Sequence, residues 1–354
     1  MAIVPVDVLS HAAIAFVYAG KLILLTIGLN MTYSVLKFSN FSHAEWVTWG
    51  MFSSWWLLQI LAFLVPWDAE MGFIINNILI QATFAFFMVG ILGILSEILV
   101  FGRLRDLKAS ARSFTVASIG IGLVVRNLLS MVFGDYPQPV SSPELPFGLE
   151  DILVINITLT NRDPILGTQS IILTSYKILI ILISIITVLL IDYIFKHTKF
   201  GIAMRATSDS IDLAQVSGIN TRQIIFITWF IAAGVTGFGA AFVRATQGRF
   251  GTMDGFSMLL PIFAVVILGG VGSFRGGIVS AFIISYAREI SAIILTEFQK
   301  KPYGLQYVIE DLLGFTISLS PGYMDGVGFV VLILVLLFRP QGIFGSVEAI
   351  RARV

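Results

Sequence analysis

Residues 72–96 read Gly72-Phe-Ile-Ile-Asn-Asn-Ile-Leu-Ile-Gln-Ala-Thr-Phe-Ala-Phe-Phe-Met-Val-Gly-Ile-Leu-Gly-Ile-Leu-Ser96, 25 positions without a charged side chain. About 20 apolar residues carry a helix across a bilayer. In hydrocarbon a backbone must satisfy its own polar groups, which leaves helices and closed barrels as the spanning structures. A run this long and this apolar is a spanning helix. Trp46–Trp67, Gln223–Val243 and Gly255–Phe274 are equally free of charge. Interrupted runs lie near 8–29 (Lys21 inside), 113–133 (Arg126), 171–191 (Lys177), 276–296 (Arg288 and Glu289) and 320–338 (Asp325). The pattern predicts an all-α integral membrane protein, a polytopic bundle of about nine transmembrane helices forming one domain over 1–354. Residues 30–45 read as a loop or a re-entrant half-helix.

Composition agrees. The chain of 354 residues is 57% hydrophobic and 12% charged, against about 25% charged in a soluble domain. A water-soluble fold is excluded. The net charge of +1 and the lack of a basic, aromatic-rich stretch argue against nucleic acid. With no cysteine, disulfides, thiolate metal sites and cysteine nucleophiles are excluded. The first segment has neither the basic lead nor the small-residue cleavage site of a signal peptide, so it is expected to remain as a span.

Lys and Arg set the orientation. With the N-terminus outside and nine crossings, the C-terminus is cytoplasmic, and the inside segments carry 13 of these residues against 5 outside. Arg103, Arg105, Lys108 and Arg112, then Lys196, Lys199, Arg205 and Arg222, make up most of the inside set, while Arg244 and Arg249 count as outside. Residues 134–170, rich in proline, are expected to form an ordered or semi-ordered outer loop. Residues 192–222 are the longest cytoplasmic segment.

Within that segment Ser208 is placed to cap a short helix, with Asp209 and Asp212 in its first turn. Gly218 is placed to end it in a left-handed conformation. Ile211, Ala214 and Val216 would form the apolar face of this nine-residue helix. It must dock, either on its own spans as an interfacial connector or on a partner. Upstream, Asn40, Ser42, His43 and Glu45 put polar groups beside apolar spans. They read either as part of a translocation path or its gate, or as a capped turn between helices. His43 is not a metal ligand, because the three histidines show no ligand spacing.

Gly269, Gly270, Gly272, Gly276 and Gly277 lack the strand–helix context of a nucleotide loop. They read as a tight hairpin between spans or as close backbone approach along a pore. Ala233, Gly237 and Ala241 form a small-residue stripe suited to helix packing. Lys21, Arg126 and Lys177 either snorkel or face the interior, and the adjacent Arg288 and Glu289 point about 100° apart, so neither simply neutralises the other. The chain has no Walker sequence, and its spans hold no paired aspartates, no His-Glu-x-x-His and no Gly-x-Ser-x-Gly. It is not expected to be an enzyme. An ion-driven transporter would need midplane carboxylates, for which Glu289 is the best placed.

Five stretches, in order, resemble the permease subunits of branched-chain amino-acid ABC importers. They are Asn40-Phe-Ser-His-Ala-Glu45, Glu97 with Arg103-Leu-Arg105, Gly201 to Ile219, Gly269-Gly-Val-Gly-Ser273 with Gly276, and Arg339-Pro-Gln-Gly-Ile-Phe-Gly345. The resemblance covers roughly residues 20–345. Arg103 and Arg275 stand where the family often has proline, and Ala44 replaces a common glycine. The resemblance implies a coupling loop at about 196–221 whose helix enters a groove on an ATPase subunit, carried here by Gly201, Arg205, Ala206, Asp209, Leu213, Ala214, Gly218 and Ile219. It implies a translocation path touching Asn40, Ser42, His43, Glu45, Gly269, Gly270, Gly272 and Ser273. It also implies two cytoplasmic ATP-binding subunits holding ATP and Mg, a second and paralogous permease, an extracytoplasmic solute-binding protein, and a place in the cytoplasmic membrane. Branched-chain or related amino acids are the expected cargo, with urea and short amides as the alternative.

Overall fold

The structure, a computed structural model, describes residues 5–64, 77–140, 155–160, 168–173, 175–299, 323–339 and 341–344. Its helices are α1 (Pro5–Leu36), α2 (His43–Leu64), α3 (Ile78–Ser96), α4 (Gly102–Asp106), α5 (Ala111–Phe133), α6 (Ser175–His197) and α7 (Lys199–Asp209). They continue with α8 (Ile211–Val216), α9 (Thr221–Ala245), α10 (Asp254–Gly269), α11 (Phe274–Gln299) and α12 (Tyr323–Phe338). Each stretch expected to span holds a helix over most of its described part. Among the described residues six helical stretches are long and apolar enough to cross a membrane, beginning at Ser10, Ile78, Ala111, Lys177, Thr221 and Phe274. Asp254–Gly269 and Gly328–Phe338 are apolar but shorter. The protein is a multi-pass helical membrane protein.

The long helix α9 lies at the centre, packed on α3, α1 and α2. Small residues permit this. A Cβ on Gly93 of α3 would come within 2.6 Å of the Ala233 Cβ, and one on Gly237 within 2.5 Å of the Ala85 carbonyl. Ala233 and Ala241 are fully buried, so the stripe on α9 is a packing face. Backbones this close gain dispersion contacts, which drive helix association where lipid removes the hydrophobic difference.

The helices α10 and α11 form a tight hairpin. Gly270 and Gly272 adopt positive φ (92° and 86°) in the turn. Gly269 and Gly276 lie so close that a Cβ on Gly276 would meet the Gly269 carbonyl at 2.0 Å. The Ser273 Oγ accepts from the Gly276 amide (3.0 Å), and the Gly272 amide donates to Asn30 Oδ1 on α1 (2.7 Å). Residues 341–344 return to this hairpin: the Ile343 amide donates to the Leu268 carbonyl (2.8 Å) and the Phe344 amide to the Gly269 carbonyl (3.2 Å). Those carbonyls belong to the last turn of α10, which has no intrahelical donors for them.

Three expectations are corrected. The first helix runs through Leu36, so residues 30–36 are neither loop nor half-helix. The outer segment holds strands β1 (Gln138–Pro139), β2 (Ile155–Thr160) and β3 (Thr168–Leu173), with β4 (Arg249–Phe250) beyond α9. β1 pairs with β4, and β2 with β3 from Ile155↔Leu173 to Thr160↔Thr168, all antiparallel. Because β3 keeps Ile171 to Leu173, α6 starts at Ser175 rather than at 171. The rest of the outer loop, 141–154 and 161–167, lies outside the described residues. Finally, Arg244 belongs to α9 and is fully buried. It donates to Ser54 Oγ at 2.9 Å and to Gln81 Oε1, side chains from two other helices.

Candidate functional site

Between Leu36 and His43 the chain doubles back. The His43 Nε2–H donates to the Leu25 carbonyl at 2.8 Å, and Leu25 lies 11 residues before the end of α1. At 1.5 Å per residue that is ~16 Å up α1, about half of a ~30 Å hydrocarbon core. Seven residues of extended chain reach about 23 Å, so the 37–42 link covers the distance with little slack. The second helix therefore starts deep beside α1. This elbow is the re-entrant feature of the fold.

The elbow is polar and sealed. Asn40, Ser42 and His43 are 0% exposed and Glu45 1%. The Asn40 Oδ1 accepts from the Ser42 amide (3.1 Å) and the Ser42 Oγ (2.6 Å), closing a turn that leads into α2. The Phe41 amide donates to Ser118 Oγ on α5 at 3.0 Å. Glu45, in the first turn of α2, pairs with Arg126 of α5, whose Nε lies 3.0 Å from Oε1 and whose second nitrogen reaches the same oxygen. Arg126 also stands over the Phe256 ring of α10 at 4.4 Å. Arg126 thus faces the bundle interior. Taking both charges out of water costs several kcal/mol per ion, which mutual attraction offsets only with good geometry.

Five buried polar atoms here have no hydrogen-bond partner: Asn40 Nδ2, His43 Nδ1, Glu45 Oε2, and the indole nitrogens of Trp46 and Trp229. The Trp46 ring lies 5.5 Å from that of His43 and 5.4 Å from that of Trp229. Each such orphan carries a penalty of about 1–3 kcal/mol. They mark a closed polar region inside the bundle. Trp46 and Trp229 were not legible as members of this cluster. They sit in apolar runs and come together only through the crossing of α2 and α9.

The segment after α6 forms two helices rather than one. Thr198 caps α7 by accepting from the Gly201 amide at 3.1 Å. Gly201 is required: a Cβ there would lie 2.3 Å from the Phe195 carbonyl. Arg205 bonds that same carbonyl. The cap of α8 is Ser210, which accepts from the Leu213 amide at 3.3 Å, not Ser208. Asp209 accordingly closes α7 instead of opening α8. Ser208 Oγ donates to the Ser34 carbonyl of α1 at 2.6 Å. At the other end Gly218 has φ +83°, and the Ile219 amide reaches the Ala214 carbonyl (3.0 Å) while that of Gly218 reaches Gln215 (2.9 Å). This is the Schellman closure expected for a glycine at that position. Ala214 is buried, but Val216 is 87% and Leu213 67% exposed. Val216 is therefore not on the docked face, because two positions along a helix turn it about 200° away from Ala214.

Gly269, Gly270, Gly272 and Ser273 lie in the hairpin turn, joined to α1 through Asn30. They meet the 199–210 segment at Ser34, whose Oγ lies 3.3 Å from a Cβ position on Gly272. The structure does not bring these residues into contact with the Glu45–Arg126 pair. Elsewhere, Arg288 does neutralise Glu289 directly (2.7 Å), and His11 lies 2.9 Å from the other carboxylate oxygen. Long side chains swing across the 100° between neighbouring positions. Lys21 lies within electrostatic reach of Arg288 and Lys177, which gathers the cations between α1, α6 and α11. Among the described residues no group of three or more His, Asp or Glu side chains could hold a metal ion.

The comparisons with known proteins agree with this architecture. Residues 12–336 match the family described as the permease component of the branched-chain amino acid transport system. The high-affinity branched-chain amino acid transport system permease protein LivH of Salmonella typhimurium is 24% identical over 330 residues, covering 92% of this chain and 91% of that one. The probable branched-chain amino acid transport permease protein LivH of Methanocaldococcus jannaschii is 24% identical over 332 residues, 94% of this chain and 90% of its own. The permease protein BraD of Pseudomonas aeruginosa is 24% identical over 328 residues, 92% of each. No solved structure matches the chain. A match that runs through the elbow, the α7–α8 segment and the glycine hairpin alike places this chain in the branched-chain amino acid ABC transporter permease family.

Proposed function

We propose that this chain is one membrane-spanning half of an importer that moves branched-chain or related amino acids into the cytoplasm. The work comes from ATP and Mg on two separate cytoplasmic subunits, a second permease completes the pathway, and an extracytoplasmic binding protein delivers the solute. Nine crossings, with the N-terminus outside and the C-terminus cytoplasmic, fit the helix positions and put the basic segments inside. The α7–α8 segment is the coupling element. Exposed Leu213 and Val216 offer an ATPase subunit the apolar contact that a solvated connector would not keep. The elbow is the gate.

The single observation that carries the gate is the sealed polar cluster of Asn40, His43, Glu45, Trp46 and Trp229, which begins beside Leu25, 11 residues inside the end of α1. Ionisable groups inside a membrane mark solute pathways by default, and unpaired buried polar atoms favour a second, wetter arrangement. An ion-driven mechanism fits less well, since Glu289 is held by Arg288 and His11.

The reading is tested by reconstituting the chain with its ATPases, second permease and binding protein, and measuring leucine uptake. Uptake that needs ATP and is competed by isoleucine and valine but not urea is expected. ATP-dependent uptake of urea alone would discard the amino-acid cargo. Uptake that follows an ion gradient and ignores ATP would overturn the mechanism.

A further inference from the structure

The elbow and the coupling segment face each other across one cavity. Phe38, 4% exposed, belongs to the link between α1 and α2. It lines a cavity of about 360 Å³ whose other walls include Thr207, Asp209 and Ile211 of the coupling segment and Arg105 of α4. The Ser208–Ser34 hydrogen bond (2.6 Å) ties the end of α7 to the end of α1 at the same place.

On its other side Phe38 enters an aromatic cluster. Its ring lies 5.2 Å from Phe101, 5.3 Å from Phe114 and 6.3 Å from Trp229. Trp229 is edge-on to Trp46, and Trp46 to His43. A continuous run of rigid rings thus leads from the coupling segment to the elbow. Its base is unusual. Glu97–Phe101 is a π-turn, a conformation found mostly at functional positions, and it is pinned by the Arg105–Glu97 pair at 2.5 Å. Phe101, at the end of that turn, stacks on Trp229 at 4.8 Å. Close-packed rings pass on a displacement instead of absorbing it. The cavity leaves free volume between Phe38 and the coupling segment, where an approaching segment has room to press on the ring.

We infer that Phe38 is the positioning residue through which movement of α7 and α8 reaches the elbow, with the Ser208–Ser34 hydrogen bond keeping the end of α1 in step. This rests on the transport reading above and adds the route of coupling to it. Residues along such a route change coupling by roughly 0.5–2 kcal/mol, that is about 2- to 30-fold.

The test measures leucine taken up per ATP hydrolysed by the complete complex in proteoliposomes. Phe38→Ala is expected to lower that ratio about tenfold while hydrolysis stays within about twofold of wild type. Phe38→Leu, which restores apolar bulk, recovers most of it. Ser208→Ala is expected to lower the ratio roughly threefold, as for one lost hydrogen bond, and Ser208→Thr restores it. If Phe38→Ala reduces uptake and hydrolysis in parallel, Phe38 only fills space and the inference fails. If Phe38→Ala does not assemble, the Ser208 pair decides, and an unchanged ratio in Ser208→Ala overturns the route. A wild-type complex with no ATP-dependent uptake refutes the transport reading itself, and the inference with it.

Discussion

Glu45 and Arg126 sit 81 residues apart in sequence and meet through two hydrogen bonds to one carboxylate oxygen, both side chains largely buried. Removing one partner leaves the other as an uncompensated buried charge, at a cost of about 3–5 kcal/mol. Arg126→Met is therefore expected to lower the unfolding temperature of the purified protein sharply. The double variant Glu45→Gln with Arg126→Met should regain most of the loss, because the lone charge is gone. A double variant no more stable than the single one would show that the pair is not the cause. Each residue stood out in the sequence as a charge or polar group where none was expected. Their partnership did not, since nothing in a linear pattern states which spans cross at that depth.

Helix positions were legible because the apolar runs are long, and the ends of those runs were not. At Ser208 and Ser210 two serines compete to cap the same turn, and composition cannot choose between them. The structure chooses because Ser208 lies inside α7, while Ser210 has the extended backbone of a cap (φ −157°, ψ 116°). The glycine hairpin was readable as a turn, while its role as a seat for residues 341–344 needed the third dimension. The contact of α3 with α9 gives a test at this scale. Gly93→Leu forces a side chain into the Ala233 Cβ and the Trp229 carbonyl, at 2.6 and 2.8 Å from a Cβ. Overpacking of that kind costs about 1–3 kcal/mol or more, and here backbone blocks the escape. Loss of assembled permease from the membrane is expected, whereas Gly120→Leu, with nothing within 4 Å, should assemble normally. A surface change makes the complementary test. Val216→Asp, at an 87% exposed position, should leave the unfolding free energy within about 0.5 kcal/mol of wild type yet weaken co-purification with the ATPase subunits. Unaltered co-purification would remove α8 from that interface.

For the molecule as a whole, the proposed orientation rests on where Lys and Arg gather. Lys37 and Arg105 line one cavity, Arg103 and Arg222 its neighbour, and Arg275 joins Asp192 at 3.3 Å beside Lys196. These come from five separate stretches of chain and meet at one end of the bundle. The absence of cysteine makes the test clean. A cysteine placed at Val216 should react with a membrane-impermeant maleimide only once the cytoplasmic face is opened. One at Tyr136, 85% exposed, should react in intact cells. The reverse pattern would invert the topology while leaving the fold as described.

The return of residues 341–344 to the end of α10 bears on how the protein is made. Leu268 and Gly269 leave the ribosome some 75 residues before Ile343 and Phe344, whose amides they bind. Until translation has passed Phe344, the end of α10 keeps two of the orphan carbonyls that a helix C-terminus presents. A chain broken off earlier keeps that open end for its lifetime. The seating of residues 341–344 is thereby a late step in assembling the bundle, made only after the helices it joins have left the ribosome.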